Sequence, residues 1–484
     1  MPHYRGDKME LQYRGSGKVY FNEKEYKCDL YYNEKLGGII LKINVRNEKM
    51  LGDFLEVPFE IPYLCGQLEN GFIFTLLTLN RIGMQDLVSY GMSVYTFNAD
   101  YILCGIGGAV KYEQTFCKVE FTLSNIIEWA EESVFAIGEN YELFKKKEEI
   151  KKEIYTGKDF SINYFVYGSM MPVVGNELLK EHIELKQHGV IEICFKKEEK
   201  LMCFNNVFIR LKRLIEIASL KKVNLEKVTA YSEEVTQQIE EESIMRPVEV
   251  YGRDIQENKH QEYSRSLCWK WISLPELIEK KSFEHYFDKH ETIAPIIELF
   301  LEPFYVKYSS ETRTFLNIVQ ALETYHSRFI TNSLDMYKSR VEKITKNCPP
   351  THSKELKEFL MAKSKKFITL ESRLADLLFA EGKIYFDTGK IKHKDYPSVI
   401  AHTRNYYIHY DESIKENYNV LSEDELQIYN RSLLQILEYY ILLEIGFSDE
   451  DNLKKRLTER WGRISEELEL MDLSKSKHNT ETVL

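Results

Sequence analysis

The sequence predicts an α+β multidomain protein: a β-rich N-terminal domain, an antiparallel sandwich or barrel, followed by an all-α helical bundle. Three observations predict it. Between about residues 10 and 200 the apolar side chains come in short β-branched and aromatic runs, cut by Gly, Asn, Asp or charged turns. After Phe204 the apolar spacing changes to three and four residues, the period of a helix. From Leu274 onward nearly every segment keeps that period. A length of 484 residues is too great for one ordinary core, so at least two domains are expected.

The strand segments in order are Lys18–Phe21, Gly38–Val45, Gly71–Thr78, Cys117–Leu123, Phe160–Tyr167 and Val190–Phe195. Between them, Asn125–Glu132 and Glu142–Glu153 read as local helices, and the charged run Lys145–Lys152 as a solvated helix face. Gly105-Ile-Gly-Gly-Ala109 lies between strands without opening a helix, so it reads as a tight turn rather than a phosphate loop. Val207, Leu211, Leu214, Ile215 and Ala218 mark a helix that packs against or closes the β-domain. Polar stretches at Glu233–Glu242 and Gly252–Ser264 flank a strand at Pro247–Tyr251, and the second of them sets the domain boundary, giving residues 1–255 to the β-rich domain.

Residues 256–305 form a helical connector, and 306–471 a bundle. Its first helix runs from Ser310 to Lys346 and is stopped by Asn347-Cys-Pro-Pro350. The second runs from Ser353, an N-cap, to about Glu381, with Leu356, Phe359, Leu360, Phe367, Leu370, Leu374, Leu377 and Leu378 as its apolar stripe. A Gly- and Lys-rich loop, Gly382–Lys394, leads to a short third helix opened by Asp395-Tyr-Pro397. The fourth begins at a capping box, Ser422 with Glu425, and stops at Gly446. Leu453, Leu457, Trp461, Ile464 and Leu468 mark a last amphipathic helix, and residues 472–484 read as a disordered tail.

The net charge of −11 argues against a protein that coats nucleic acid non-specifically, which needs a dense basic surface, but leaves room for chemistry at one local site. Cysteines at 28, 65, 104, 117, 194, 203, 268 and 348 form no Cys-x-x-Cys pair, the usage expected of reduced thiols in the cytoplasm. The first residues lack the apolar core of a signal peptide, and no apolar run is long enough to span a membrane.

The short third helix carries His402, Arg404, Asn405 and His409. An Arg followed by a His at such a spacing arises about once by chance in a chain of this composition. A second case, Arg253 and His260, lies in a polar stretch with no apolar face. Context separates the two, because Arg404 sits inside a helical bundle, after a basic loop, and is followed at once by Asn405. On a helix Asn405 and His409 share a face and Arg404 projects beside them. A fixed cation, an amide and a titratable imidazole suit RNA cleavage: the 2′-hydroxyl must lose a proton, the leaving 5′-oxygen must gain one, and the phosphate must be held. Arg serves the last task better than Lys because its planar fork holds two oxygens. The scheme needs no metal and no cofactor. His402 and His409 are seven residues apart, about 10 Å along a helix, too far to chelate one ion. Lys390, Lys392 and Lys394 are candidates to hold the RNA backbone, and Tyr407, with Tyr406 and Tyr410, to stack on bases.

Arg404-Asn-Tyr-Tyr-Ile-His-Tyr410, preceded by Phe315-Leu-Asn-Ile-Val-Gln-Ala-Leu-Glu323, resembles the Apea-like HEPN family of bacterial antiphage defence ribonucleases. The β-rich first half and the helix around Arg210–Leu220 are similar to that family's ApeA N-terminal domain. The resemblance implies that Arg404, Asn405 and His409 form the catalytic cleft, with Glu323, or else Glu371, as an acidic support. It implies a homodimer in which two motif helices build one composite site. It also implies cleavage of RNA, with tRNA as target, that arrests the infected cell when the N-terminal domain senses a phage protein. The competing expectation is a HEPN module that binds RNA or a partner without cutting it.

Overall fold

The structure, a computed structural model, describes residues 14–461 apart from 23, 37, 47–56, 88–90, 108–112, 140–142, 146–148, 171–184, 240–241, 253–271, 306–308, 331, 363–368 and 387–390. The chain divides into two compact units. One comprises residues up to Lys212 together with Val223–Pro275, the other Arg213–Lys222 together with the residues from Glu276 onward.

The first unit is β-rich, as its alternating apolar residues require. β1 (Gly15–Phe21), β2 (Lys24–Asn33), β3 (Gly38–Arg46), β4 (Glu60–Leu68), β5 (Ile73–Leu87) and β6 (Met92–Cys104) pair antiparallel in the ring β6-β3-β2-β1-β4-β5. The β5–β6 pairing closes it into a six-stranded barrel. Leu30, Leu41, Ile43, Phe74, Leu76, Phe97 and Ile102 share its apolar core. Closure brings β1 against β4, where a Cβ on Gly17 would meet Gln67 O at 2.3 Å, so only glycine fits there.

β7 (Thr115–Leu123), α1 (Ile126–Ala130), the ribbon β8 (Phe135–Ile137) and β9 (Leu143–Lys145), β10 (Glu149–Thr156), β11 (Phe160–Met170) and β12 (Leu185–Lys200) follow. Then come α2 (Leu201–Ser219), β13 (Leu225–Tyr231), the hairpin β14 (Thr236–Ile239) and β15 (Glu242–Met245), and β16 (Val248–Gly252). The order β10-β11-β12-β7-β13-β16-β6 continues the sheet beyond the barrel. β6 makes the join: its first half pairs with β3, and Tyr101–Leu103 pair with β16. Phe208 of α2 stacks on Phe121 of β7 at 4.2 Å, and Phe204 meets Phe195 of β12 edge-on at 4.8 Å. Burying each such ring is worth about 1.5–3 kcal/mol.

Glu142–Glu153 is not a helix. Its described residues form β9 and β10, which take up Lys145 and Glu149–Lys152 of the charged run; 146–148 lie outside the described residues. Ile150 and Ile154, both buried, are four residues apart, a spacing that fits one helix face and one strand face equally. Pairing with β11 decides for the strand, and Lys151 lies over the Phe165 ring. Gly105 has φ +78 at the end of β6, as a turn requires.

The second unit is helical: the residues of α3 (Leu274–Glu279) from Glu276 onward, α4 (Ser282–Tyr305), α5 (Glu311–Phe329), α6 (Asn332–Lys346), α7 (Pro350–Ala362), α8 (Leu370–Tyr385), α9 (Tyr396–His409), α10 (Glu412–Asn417), α11 (Glu423–Glu444) and a last helix at 450–461. Phe315, Ile318, Leu322, Leu374, Leu378, Ile400, Leu433 and Leu437 are buried on the facing sides of α5, α8, α9 and α11. The helix expected over Ser310–Lys346 is two helices, broken where Ile330 is extended. The next starts at Pro350, which suits a first turn, and not at Ser353, whose hydroxyl donates to Thr345 O at 2.9 Å. α11 carries the capping box, with Ser422 N donating to Glu425 Oε2 at 2.9 Å, and Gly446 follows it at φ +107. The last helix buries Leu453, Leu457 and Trp461; Ile464, Leu468 and the tail expected at 472–484 lie outside the described residues.

A charged pair is sealed inside this unit. Arg460 Nη1 lies 3.1 Å from Glu438 Oε1, with both side chains almost fully buried. Arg460 Nη2 also donates to Ile217 O and Ala218 O, carbonyls in the last turn of α2. Burial pushes the Glu438 carboxyl up and the Arg460 guanidinium down, each against the pull of the other's charge.

Candidate active site

α9 exists because Tyr396, Val399, Ile400, Thr403 and Tyr406 bury one side of it, with Pro397 and Ala401 also buried in its first two turns. Pro397 lies in its first turn, and Asp395 occupies the cap position without a side-chain cap bond. The opposite arc carries the polar residues. Arg404 and Asn405 are half-buried and Ile408 and His409 are exposed. A rotation of about 100° per residue puts Asn405 about 40° from His409 and about 100° from Arg404, so the three share the solvent-facing arc.

Arg404 is held from two directions. Its Nη1 donates to Asn405 Oδ1 at 3.2 Å, and its Nη2 lies 4.0 Å from Glu323 Oε2 on α5. Glu323 and Arg404 are each about one-third exposed, 36% and 33%, so this is a screened, loose pair that orients the guanidinium and leaves it open to an anion. One turn after Glu323, the buried His326 ring bonds Asp376 Oδ2 of α8 at 2.7 Å, fixing α5 against α8. Glu371, also on α8, is exposed. Thus the structure brings Arg404, Asn405 and Glu323 together, while His409 stands at the end of α9 facing solvent.

The helix ends immediately after His409, at Tyr410 with φ +49. Asp411 then caps α10 by accepting from Ser413 N at 3.0 Å and Ser413 Oγ at 2.7 Å. Those two bonds, with a small contribution from the neighbouring His409, hold the Asp411 carboxyl below its usual range. Beyond α10 the chain returns along α9. Leu421 N donates to Thr403 Oγ1 at 3.0 Å, and Leu421 O accepts from the Tyr407 hydroxyl at 3.1 Å. Burial raises the Tyr407 phenol above its usual value. The Tyr406 hydroxyl donates to Glu412 Oε1 at 3.1 Å, whereas Tyr410 is 63% exposed. His402 stacks on Tyr418 at 3.9 Å.

Lys392 and Lys394 are exposed just before α9; Lys390 lies outside the described residues, as do Arg253 and His260. Among the described residues no group of three or more His, Cys, Asp or Glu is placed to hold a metal ion. No helix of the described residues is long and apolar enough to cross a membrane. Sequence reasoning missed the pins at Thr403, Leu421, Asp411 and Ser413 and the His326–Asp376 pair. Of these, only Asp411-Glu-Ser413 carried a signal, that of a helix cap.

A helical bundle with an Arg-Asn-x-x-x-His helix on its surface defines the class, a HEPN domain. Residues 316–451 match the Apea-like HEPN family, and residues 13–273 match ApeA N-terminal domain 1. The second match alone spans more than half of the 484 residues, and the chain belongs to the ApeA-type HEPN family. Together the two domains point to an antiphage defence protein. No curated protein and no solved structure matches the chain.

Proposed function

We propose that this chain is a metal-independent endoribonuclease that cuts RNA at Arg404, Asn405 and His409, with Glu323 orienting the arginine. The observation that carries the reading is the shared exposed arc of α9: a guanidinium tethered by Asn405 and Glu323, and an open imidazole about 7.5 Å further along the axis. The His409 imidazole takes the proton of a 2′-hydroxyl or gives one to the leaving 5′-oxygen. Arg404 and the Asn405 amide hold the phosphate oxygens as charge builds on them. The 2′-oxygen bonds to phosphorus as the 5′-oxygen departs, leaving a 2′,3′-cyclic phosphate.

One imidazole performs one of the two proton transfers at a time, which favours a homodimer whose second α9 supplies another. Ile408, 43% exposed between Arg404 and His409, gives that meeting an apolar centre. Lys392 and Lys394 hold the backbone of the RNA beside α9, and Lys390 extends that basic stretch. The Tyr407 hydroxyl is spent on Leu421, so only its ring serves a base. In this reading tRNA is the target, and a phage protein acting on the β-rich unit is the trigger for a cytoplasmic enzyme that arrests the infected cell.

The experiment compares wild type with His409→Ala during phage challenge, scoring growth arrest and RNA fragments. Fragments with cyclic phosphate ends in wild type alone are expected. Equal arrest and identical fragments from both would remove the assignment and favour a HEPN module that binds without cutting.

A further inference from the structure

Seven residues before His409 on α9 lies His402, and two turns of helix, about 720°, return it to within about 20° of the same direction. Its ring is not open to solvent like that of His409. It lies against Tyr418, with centroids 3.9 Å apart and planes 29° apart. Tyr418 remains 53% exposed although the imidazole lies against one face of its ring. The backbone that carries Tyr418 is fixed on both sides. Tyr418 N donates to Ile414 O at 2.9 Å, and Leu421 is bonded through both its N–H and its carbonyl to Thr403 and Tyr407 of α9. An exposed aromatic ring is thereby held rigid about 10 Å along the helix from His409, with the Asn405 amide on the same arc between them.

Resting on the RNA reading above, the geometry points to the His402–Tyr418 stack as a nucleobase subsite: the outer face of Tyr418 takes a base a nucleotide or two from the cleaved linkage. Every base has a flat π-face, so such a ring binds without demanding one sequence. Because stack and backbone bonds fix the ring before RNA arrives, little ordering entropy is lost on binding. The subsite sets how the strand lies along α9 and which linkage reaches His409. It takes single-stranded or looped RNA, since a base within a duplex is already stacked on its neighbours.

The test uses the full-length chain carrying His409→Ala, and short single-stranded RNAs with 2-aminopurine at successive positions. Quenching at one position is expected, lost in His409→Ala/Tyr418→Ala and retained in His409→Ala/Tyr418→Trp. Affinity should fall about fivefold to a hundredfold with the alanine. RNA carrying 4-thiouridine at the quenched position should cross-link to Tyr418 in the chain that keeps the tyrosine, a readout independent of whether the alanine variant folds. RNA that binds with equal quenching in the Tyr418→Ala chain, or that cross-links elsewhere, overturns the subsite alone. If His409→Ala binds no RNA and wild type cleaves none, the ribonuclease reading falls with it.

Discussion

Glu323 and Arg404 meet across two helices with 4.0 Å between Oε2 and Nη2, while the same guanidinium bonds Asn405 at 3.2 Å. A carboxylate this exposed steers the arginine without neutralising it. Glu323→Gln should therefore leave stability within about 1 kcal/mol of wild type and lower RNA cleavage by about tenfold or less. Parallel denaturation and cleavage measurements check both halves.

Arg404→Ala should cost about a hundred- to a thousandfold in cleavage rate, the usual loss when a charge-stabilising group is removed. Arg404→Lys should recover little of it, since an ammonium lacks the planar fork that reaches phosphate and Asn405 together. Single-turnover rates on one RNA compare the two; full recovery by lysine would mean that charge alone suffices.

His409→Ala should remove about a hundred- to ten-thousandfold of the rate. It should not disturb the fold, because the side chain is exposed at the last residue of α9. An unchanged melting temperature together with lost cleavage is the expected pair of results.

The sealed Glu438–Arg460 pair gives a stability prediction. Glu438→Ala strands a buried guanidinium and should destabilise the helical unit by about 3–5 kcal/mol, whereas Glu438→Leu with Arg460→Met should cost far less. Denaturant titration distinguishes them, and equal losses from both variants would contradict the account.

Acid should loosen the turn after α9. The Asp411 carboxyl is depressed in the folded chain by its bonds to Ser413. Its contribution is therefore complete above the unfolded carboxylate pKa and is lost as the pH falls through the lower folded value. Faster amide exchange at Ser413 in that acid window, absent from Asp411→Asn, is the expected signature.

Where the sequence was legible, local chemistry and long-range packing agreed. Ser422 and Glu425 announced the start of α11 because both halves of a capping box are local. Asn405 and His409 were readable as one face, with Arg404 beside them, because a helix fixes their angles. Legibility failed where one spacing served two structures, as with Ile150 and Ile154, or where extended backbone at Ile330 broke a continuous helical period. Tyr418 was invisible as a neighbour of His402 because the contact depends on the chain reversing at Tyr410 and being pinned at Leu421.

The ring of strands β1 to β6 has one more consequence. A sheet of 12 strands ordinarily offers two free borders on which another chain could add a strand, but here β5 pairs back onto β6 and, among the described residues, leaves β10 as the lone border of that sheet. That border carries Lys151, whose side chain is 55% exposed, and Lys152, and its register shifts between Glu153 and Tyr155. Charge and irregularity both discourage an incoming strand, so the large sheet gives crowded copies no smooth rail along which to polymerise.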